Sequence, residues 1–170
     1  MDGRVPWCPP RSGFIKVNID GAWADAVSSA GFGVILRDSS GAFCGGTAGP
    51  NSCESALMSE AEAALFGLKL AAQFGHQRVI LESDSKVLVE GLIGKLGNRA
   101  WTILLIVKDI RKLAASFVSC EWFWAPRSQN MAAHEAAKLG RGLVEARCWL
   151  NRALLALMHV LNSDGLPGPP

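Results

Sequence analysis

The chain has no CxxC pair, and its five cysteines (Cys8, Cys44, Cys53, Cys120, Cys148) are odd in number and far apart. That argues against a disulfide framework and a zinc site, and leaves reduced thiols in an intracellular protein. Also missing is a long hydrophobic run, since no uninterrupted apolar segment approaches the roughly 18 residues of a membrane helix. No basic stretch followed by an apolar run opens the chain. The sequence is therefore expected to be soluble, with no membrane partner. Excess charge of one sign is absent too. A formal charge of +2 permits nucleic-acid binding without announcing it, because phosphate recognition needs a concentrated basic face. There is no internal repeat. What is present is the composition of a packed globule, 49% apolar and only 19% charged over 170 residues, a length that suits one domain.

Residues 1–13 hold Pro6, Pro9, Pro10 and Gly13 and read as an extended lead-in that needs no order. From Phe14 the pattern alternates. Ile15, Val17 and Ile19 point one way and Lys16, Asn18 and Asp20 the other, so a strand ends at Asp20 on its polar side. Gly31 to Arg37 and Ala42 to Ala48 read as two further strands around an Asp38–Gly41 turn. Asn51 and Ser52 can cap a helix that carries Glu60 and runs to Gly75. Arg78 to Glu82 is a short strand, and Ser83-Asp84-Ser85 caps a helix through about Ile93. Trp101 to Ala115 follows as a helix, Phe117 to Trp124 as a strand, and Gln129 to about Ala146 as a helix after Pro126. The order βββαβααβα predicts an α/β domain over 14–147. Its mixed five-stranded sheet has three antiparallel strands, then two added in parallel, flanked by helices. Residues 148–170 are expected to be partly helical and then disordered.

Asp20 at a strand end, Glu60 inside a helix and Asp84 at a strand-to-helix junction are acidic groups among apolar neighbours. Burying them together is costly without a cation. Magnesium or manganese suits such a set, because hard cations prefer carboxylate oxygens and two ions can clamp the oxygens of a phosphoryl transfer. Read alone, each acid is equally a solvated strand end or a cap.

Five ordered blocks go further: WCPPRSGFIKVNIDGAW, GFGVILRDSSG, SEAEAALFGLKLAAQFG, RVILESDSKVLVEGL and APRSQNMAAHEAAKLG. Together, over about residues 7–150, they resemble the plant-type ribonuclease H-like domain. The pattern of Trp7, Pro9, Pro10, Gly13, Lys16, Asn18, Asp20 and Gly21 is the most specific. The resemblance implies catalytic and metal-binding roles for Asp20, Glu60 and Asp84. It prefers Glu60 to Glu62, which would face roughly 200° round the helix. It also implies one or two Mg²⁺ or Mn²⁺ ions, and an RNA–DNA hybrid as partner, cut in its RNA strand by a monomer.

Two positions depart from the family pattern. The fourth acidic position is His134, four residues after Asn130, and imidazole is a softer ligand that brings no negative charge. In the loop before that helix, where many relatives carry a histidine, this chain has Trp124, which cannot shuttle a proton. His134 is a candidate for part of that acid–base work. Candidate substrate contacts are Gly21, Asn51, Ser52, Asn130 and Arg127; Lys86, Lys108, Arg111 and Lys112 are weaker candidates for a phosphate track. Trp122 and Trp124 share a strand face and are expected to pack in the core. The leading expectation is an RNA–DNA hybrid ribonuclease. The alternative is a catalytically weakened domain that binds nucleic acid or a protein, or a retroelement remnant.

Overall fold

The alternation seen from Phe14 onward separates two faces of one strand, and the fold is built on that separation. The computed structural model describes residues 5–27, 29–95, 97–98 and 100–164. Strand β1 (Ile15–Ala24) pairs antiparallel with β2 (Ser29–Arg37), which pairs antiparallel with β3 (Phe43–Asn51). Helix α1 (Ala56–Gln73) crosses back so that β4 (Arg78–Ser83) lies parallel to β1. Helices α2 (Lys86–Leu92) and α3 (Leu104–Ala114) lead to β5 (Ser119–Trp124), parallel to β4. Helix α4 (Met131–Arg141) precedes β6 (Arg147–Leu150) and α5 (Leu155–Ser163). The sheet order is β5-β4-β1-β2-β3-β6.

The antiparallel and parallel pairings agree with the sequence, but the sheet has six strands where five were expected. Strand β6 closes the free edge of β3 antiparallel, with Gly45 opposite Leu150 and Ala48 opposite Arg147. A four-residue edge strand with mostly exposed side chains has no apolar alternation to reveal it. Helix α4 correspondingly stops at Arg141, short of the expected Ala146. Beyond β6, α5 buries Leu157, Val160 and Leu161 against Ala132, Ala133 and Ala136 of α4. The expected disorder of the tail falls on residues 165–170, outside the described residues.

The sheet is covered on both faces. Ile15, Val17 and Ile19 pack against Ala64, Leu68 and Ala71 of α1 and Val107 and Ile110 of α3. Burying each such aliphatic side chain is worth about 1.5–3 kcal/mol. The opposite face of β1 is polar but equally buried. Lys16 pairs with Glu82 at 2.9 Å, and Asn18 donates to Glu82 Oε1 at 2.9 Å and to Asn130 Oδ1 at 3.0 Å. Helix α4 reaches this close because Gly33 has no side chain: a Cβ there would stand 2.3 Å from the Ala137 amide nitrogen.

The described part of the lead-in, residues 5–13, has no helix or strand, yet it is anchored. Trp7 is buried, its indole donates to Asn18 Oδ1 at 2.8 Å, and Lys16 Nζ donates to the Cys8 carbonyl. The buried Arg37 guanidinium stacks 3.7 Å from the Trp7 ring centre and pairs with Asp164 at 2.6 Å. Among the described residues no helix is long and apolar enough to cross a membrane.

Candidate functional site

Where β1 outlasts its parallel neighbour, the sheet opens a crevice. Strand β4 stops at Ser83, opposite Ile19, while β1 continues because β2 pairs with it as far as Ala24. Asp20 is therefore inside a strand and not at its end as expected, but it lies one residue past the carboxyl end of β4. Crevices beyond the carboxyl ends of parallel strands are where α/β sheets assemble sites. Asp84 follows Ser83 into the same crevice. Ser85 then starts α2, its hydroxyl accepting from the Leu88 amide at 3.3 Å.

Glu60 arrives on α1. That helix is capped by Ser55, whose hydroxyl accepts from the Met58 amide at 3.2 Å, and not by Asn51 or Ser52. Asn51 is committed to β3 through its pairing with Ala30, so the helix starts only after the strand releases the chain. The first turn of α1 lies directly against β1 at Gly21, where a Cβ would be 2.6 Å from the Glu60 amide nitrogen. The missing side chain of Gly21 thus sets Glu60 beside Asp20.

The result is a cluster in which one oxygen from each of Asp20, Glu60 and Asp84 lies within 4.8 Å of the others. Asp20 is 1% exposed, and its Oδ1 accepts from the Gly21 amide at 3.0 Å. Burial, and then the charge of Asp84, push its carboxyl above the ordinary range, while a bond to His134 pulls the other way. Burial pushes the Glu60 carboxyl up to about 7, with a hydrogen bond from Ser85 opposing and the charges of Asp20 and Asp84 adding to the rise. The Asp84 side chain is 7% exposed, and its Oδ1 is buried without a hydrogen-bond partner.

His134 and Arg127 complete the ring. His134 Nδ1 is 2.7 Å from Asp20 Oδ2. Arg127 Nη1 is 2.9 Å from His134 Nδ1 and 3.3 Å from Nε2, and its Nε pairs with Asp84 Oδ2. A guanidinium only donates, so the arrangement that satisfies both neighbours has Nδ1–H donating to Asp20 and Nε2 accepting from Arg127. Beneath them, the fully buried Asn130 donates to the Ile19 carbonyl at 2.9 Å, and its own carbonyl accepts from the His134 amide at 3.0 Å.

Of the residues singled out in the sequence, Asp20, Glu60, Asp84, His134 and Arg127 converge. Gly21 and Asn130 serve that convergence from below. Ser52 is exposed, and Asn51 Oδ1 accepts from the Ser52 amide. Arg111 donates to the carbonyls of Gly91 and Leu92 and so ends α2. The two tryptophans divide: Trp122 packs against the α1-side core, while Trp124 is 51% exposed, against the expectation of burial. Its indole donates to the Asp84 carbonyl at 3.1 Å, a contact that sequence reasoning missed. The signal lay in the register, since parallel pairing sets Trp124 beside Ser83.

Comparison with known proteins gives a consistent picture. The reverse transcriptase-like family model matches residues 18–140. A protein of Arabidopsis thaliana provisionally named as a ribonuclease H is 39% identical over 89 residues, 52% of this chain and 14% of the relative. The chain thus matches only a small part of that relative's length. Among solved structures, RNase H1 of Halobacterium salinarum superposes with a TM-score of 0.70 at 21% identity, over 75% of this chain and 96% of that one. The N-terminal RNase H domain of a Mycobacterium tuberculosis protein gives 0.70 at 20% identity, over 75% and 93%. LC11-RNase H1, solved with an RNA/DNA hybrid, gives 0.67 at 20% identity, over 75% and 96%.

Proposed function

The chain belongs to the reverse transcriptase-like family of ribonuclease H-like domains, and from that premise we propose that it is a metal-dependent endonuclease cutting the RNA strand of RNA–DNA hybrids. One observation carries the reading: Asp20, Glu60 and Asp84 meet within 4.8 Å at the open end of the sheet. The donor set fits a divalent ion. All three groups are hard oxygen donors, and the orphaned Asp84 Oδ1 is a buried acceptor still lacking a donor or a cation. Mg²⁺ or Mn²⁺ held there would supply charge neutralisation at a phosphodiester and acidify a bound water.

The remaining work falls to the chain itself. The Gly21 amide and His134 hold the two oxygens of Asp20, and Asn130 holds the turn of α4 from which His134 projects. Glu60, with its raised pKa, can hold a proton near neutrality and give it up when a cation arrives. His134 Nε2, without a proton while Nδ1–H donates to Asp20, can accept a proton from the attacking water and pass it to the departing sugar oxygen. Choice of RNA rests on its 2′-hydroxyls, for which Asn51 and Ser52 at the approach to α1 are candidate contacts.

A second reading, a weakened domain that binds a hybrid or a protein without cutting, is favoured by imidazole at the fourth corner and Trp124 at the loop position. The test is incubation of the purified chain with a labelled RNA–DNA hybrid in Mg²⁺ and in Mn²⁺, beside Asp84→Asn. Metal-dependent cleavage abolished by Asp84→Asn is expected. Retention of the hybrid with no cleavage in either metal would favour the second reading.

A further inference from the structure

Among the described residues, one arginine or lysine is paired with the carboxylate cluster, and it does not come from the core. Arg127 follows Pro126 in a 3-10 turn (Arg127–Gln129) and has a side chain 52% exposed, against 7% for its partner Asp84. Its guanidinium therefore reaches in from the solvent side. It pairs through Nε with Asp84 Oδ2 and through Nη1 with the His134 ring.

The fit is incomplete. A guanidinium is shaped for a two-pronged grip on a carboxylate, yet Asp84 Oδ1 stays buried and unpartnered while Nη1 is spent on His134. Three carboxyl groups face a single unit of positive charge, and Glu60 has no salt bridge at all among the described residues. A divalent ion held by the three carboxylates would share Asp84 with the guanidinium, and two cations on one carboxylate repel. The arm is held at its tip by Asp84 and His134, with about half of its side chain in solvent.

We infer that Arg127 is the resident counter-cation of the metal-free site, and that a divalent ion enters by displacing its guanidinium from Asp84. The inference rests on the reading of Asp20, Glu60 and Asp84 as metal ligands. Displacement also releases His134 Nε2 from Arg127, so that metal entry and availability of the imidazole become one event.

The experiment is calorimetric titration of the full chain with MnCl₂ alone, and separately with MgCl₂ alone, for the parent protein, Arg127→Gln and Arg127→Lys. Arg127→Gln should bind Mn²⁺ at least about fivefold more tightly than the parent, the lower end of ordinary coupling between sites. Arg127→Lys, which keeps the charge without the fork, should fall between them. In the parent, the Arg127 Nε–H resonance should move on Mg²⁺ addition, a readout that needs no variant and no activity. An unchanged or weaker Mn²⁺ affinity in folded Arg127→Gln, with metal still bound by the parent, overturns the inference and leaves the metal-site reading standing. No binding by any of the three removes both. Tighter binding by Arg127→Gln, with no hybrid cleavage by the parent, supports the inference while the nuclease reading fails.

Discussion

His134 Nδ1 lies 2.7 Å from Asp20 Oδ2, so the residue that replaces a family carboxylate is joined directly to the most buried acid of the cluster. The substitution removes one negative charge from the ring and adds a donor to what remains. It lowers the cost of keeping the acids together without a metal, and would weaken the pull on a divalent ion.

Restoring a carboxylate should reverse that balance. His134→Asp is expected to bind Mg²⁺ more tightly, roughly tenfold, and to melt lower in EDTA, because it puts a like charge beside Asp20. Titration calorimetry and thermal melts with and without metal would show it; equal melting in EDTA would contradict the argument.

Asn130 should be worth more to stability than its small side chain suggests. Asn130→Ala strips the partner from the buried Ile19 carbonyl and Asn18 amide, at a cost of about 2–3 kcal/mol. Urea unfolding measures this, and a loss below about 0.5 kcal/mol would show the network to be dispensable.

Gly21→Ala tests the seat of Glu60. The new methyl would stand 2.6 Å from the Glu60 amide nitrogen and must push α1 off β1. A loss of about 1–3 kcal/mol is expected, together with weaker Mn²⁺ binding as Glu60 leaves the cluster.

The pH dependence of the metal-free protein follows from Glu60. Its carboxyl titrates at about 7 in the folded chain against an ordinary 4.5, so between these values the native state holds a proton that the unfolded chain has released. Stability should therefore fall as pH rises from about 4.5 to about 7, and the raised Asp20 acts in the same direction. Saturating Mg²⁺ should flatten the slope and release protons on binding. Melting temperatures that rise with pH across this window in EDTA would refute the assignment.

Much of the fold is legible locally. The 15–19 alternation, the 78–82 run and the Ser85 cap are each dictated by periodicity or side-chain chemistry within a few residues. Strand β6 and the end of α4 are not, because a short edge strand exists only where another strand leaves its amides unpaired. The cap of α1 fails for a related reason, since Asn51 is a good cap in isolation but is held in the sheet by Ala30.

The sequence alone determined the order of elements from β1 to α4 and the two faces of β1, and its ordered blocks, read together, singled out the three acids that meet. Only the tertiary structure decided that His134 bonds Asp20, that Arg127 neutralises Asp84, and that Trp124 backs the Asp84 carbonyl. These contacts join residues 40 to 114 positions apart in the chain. No local pattern encodes them, because they arise where β4 stops short of β1 and α4 closes down on Gly33.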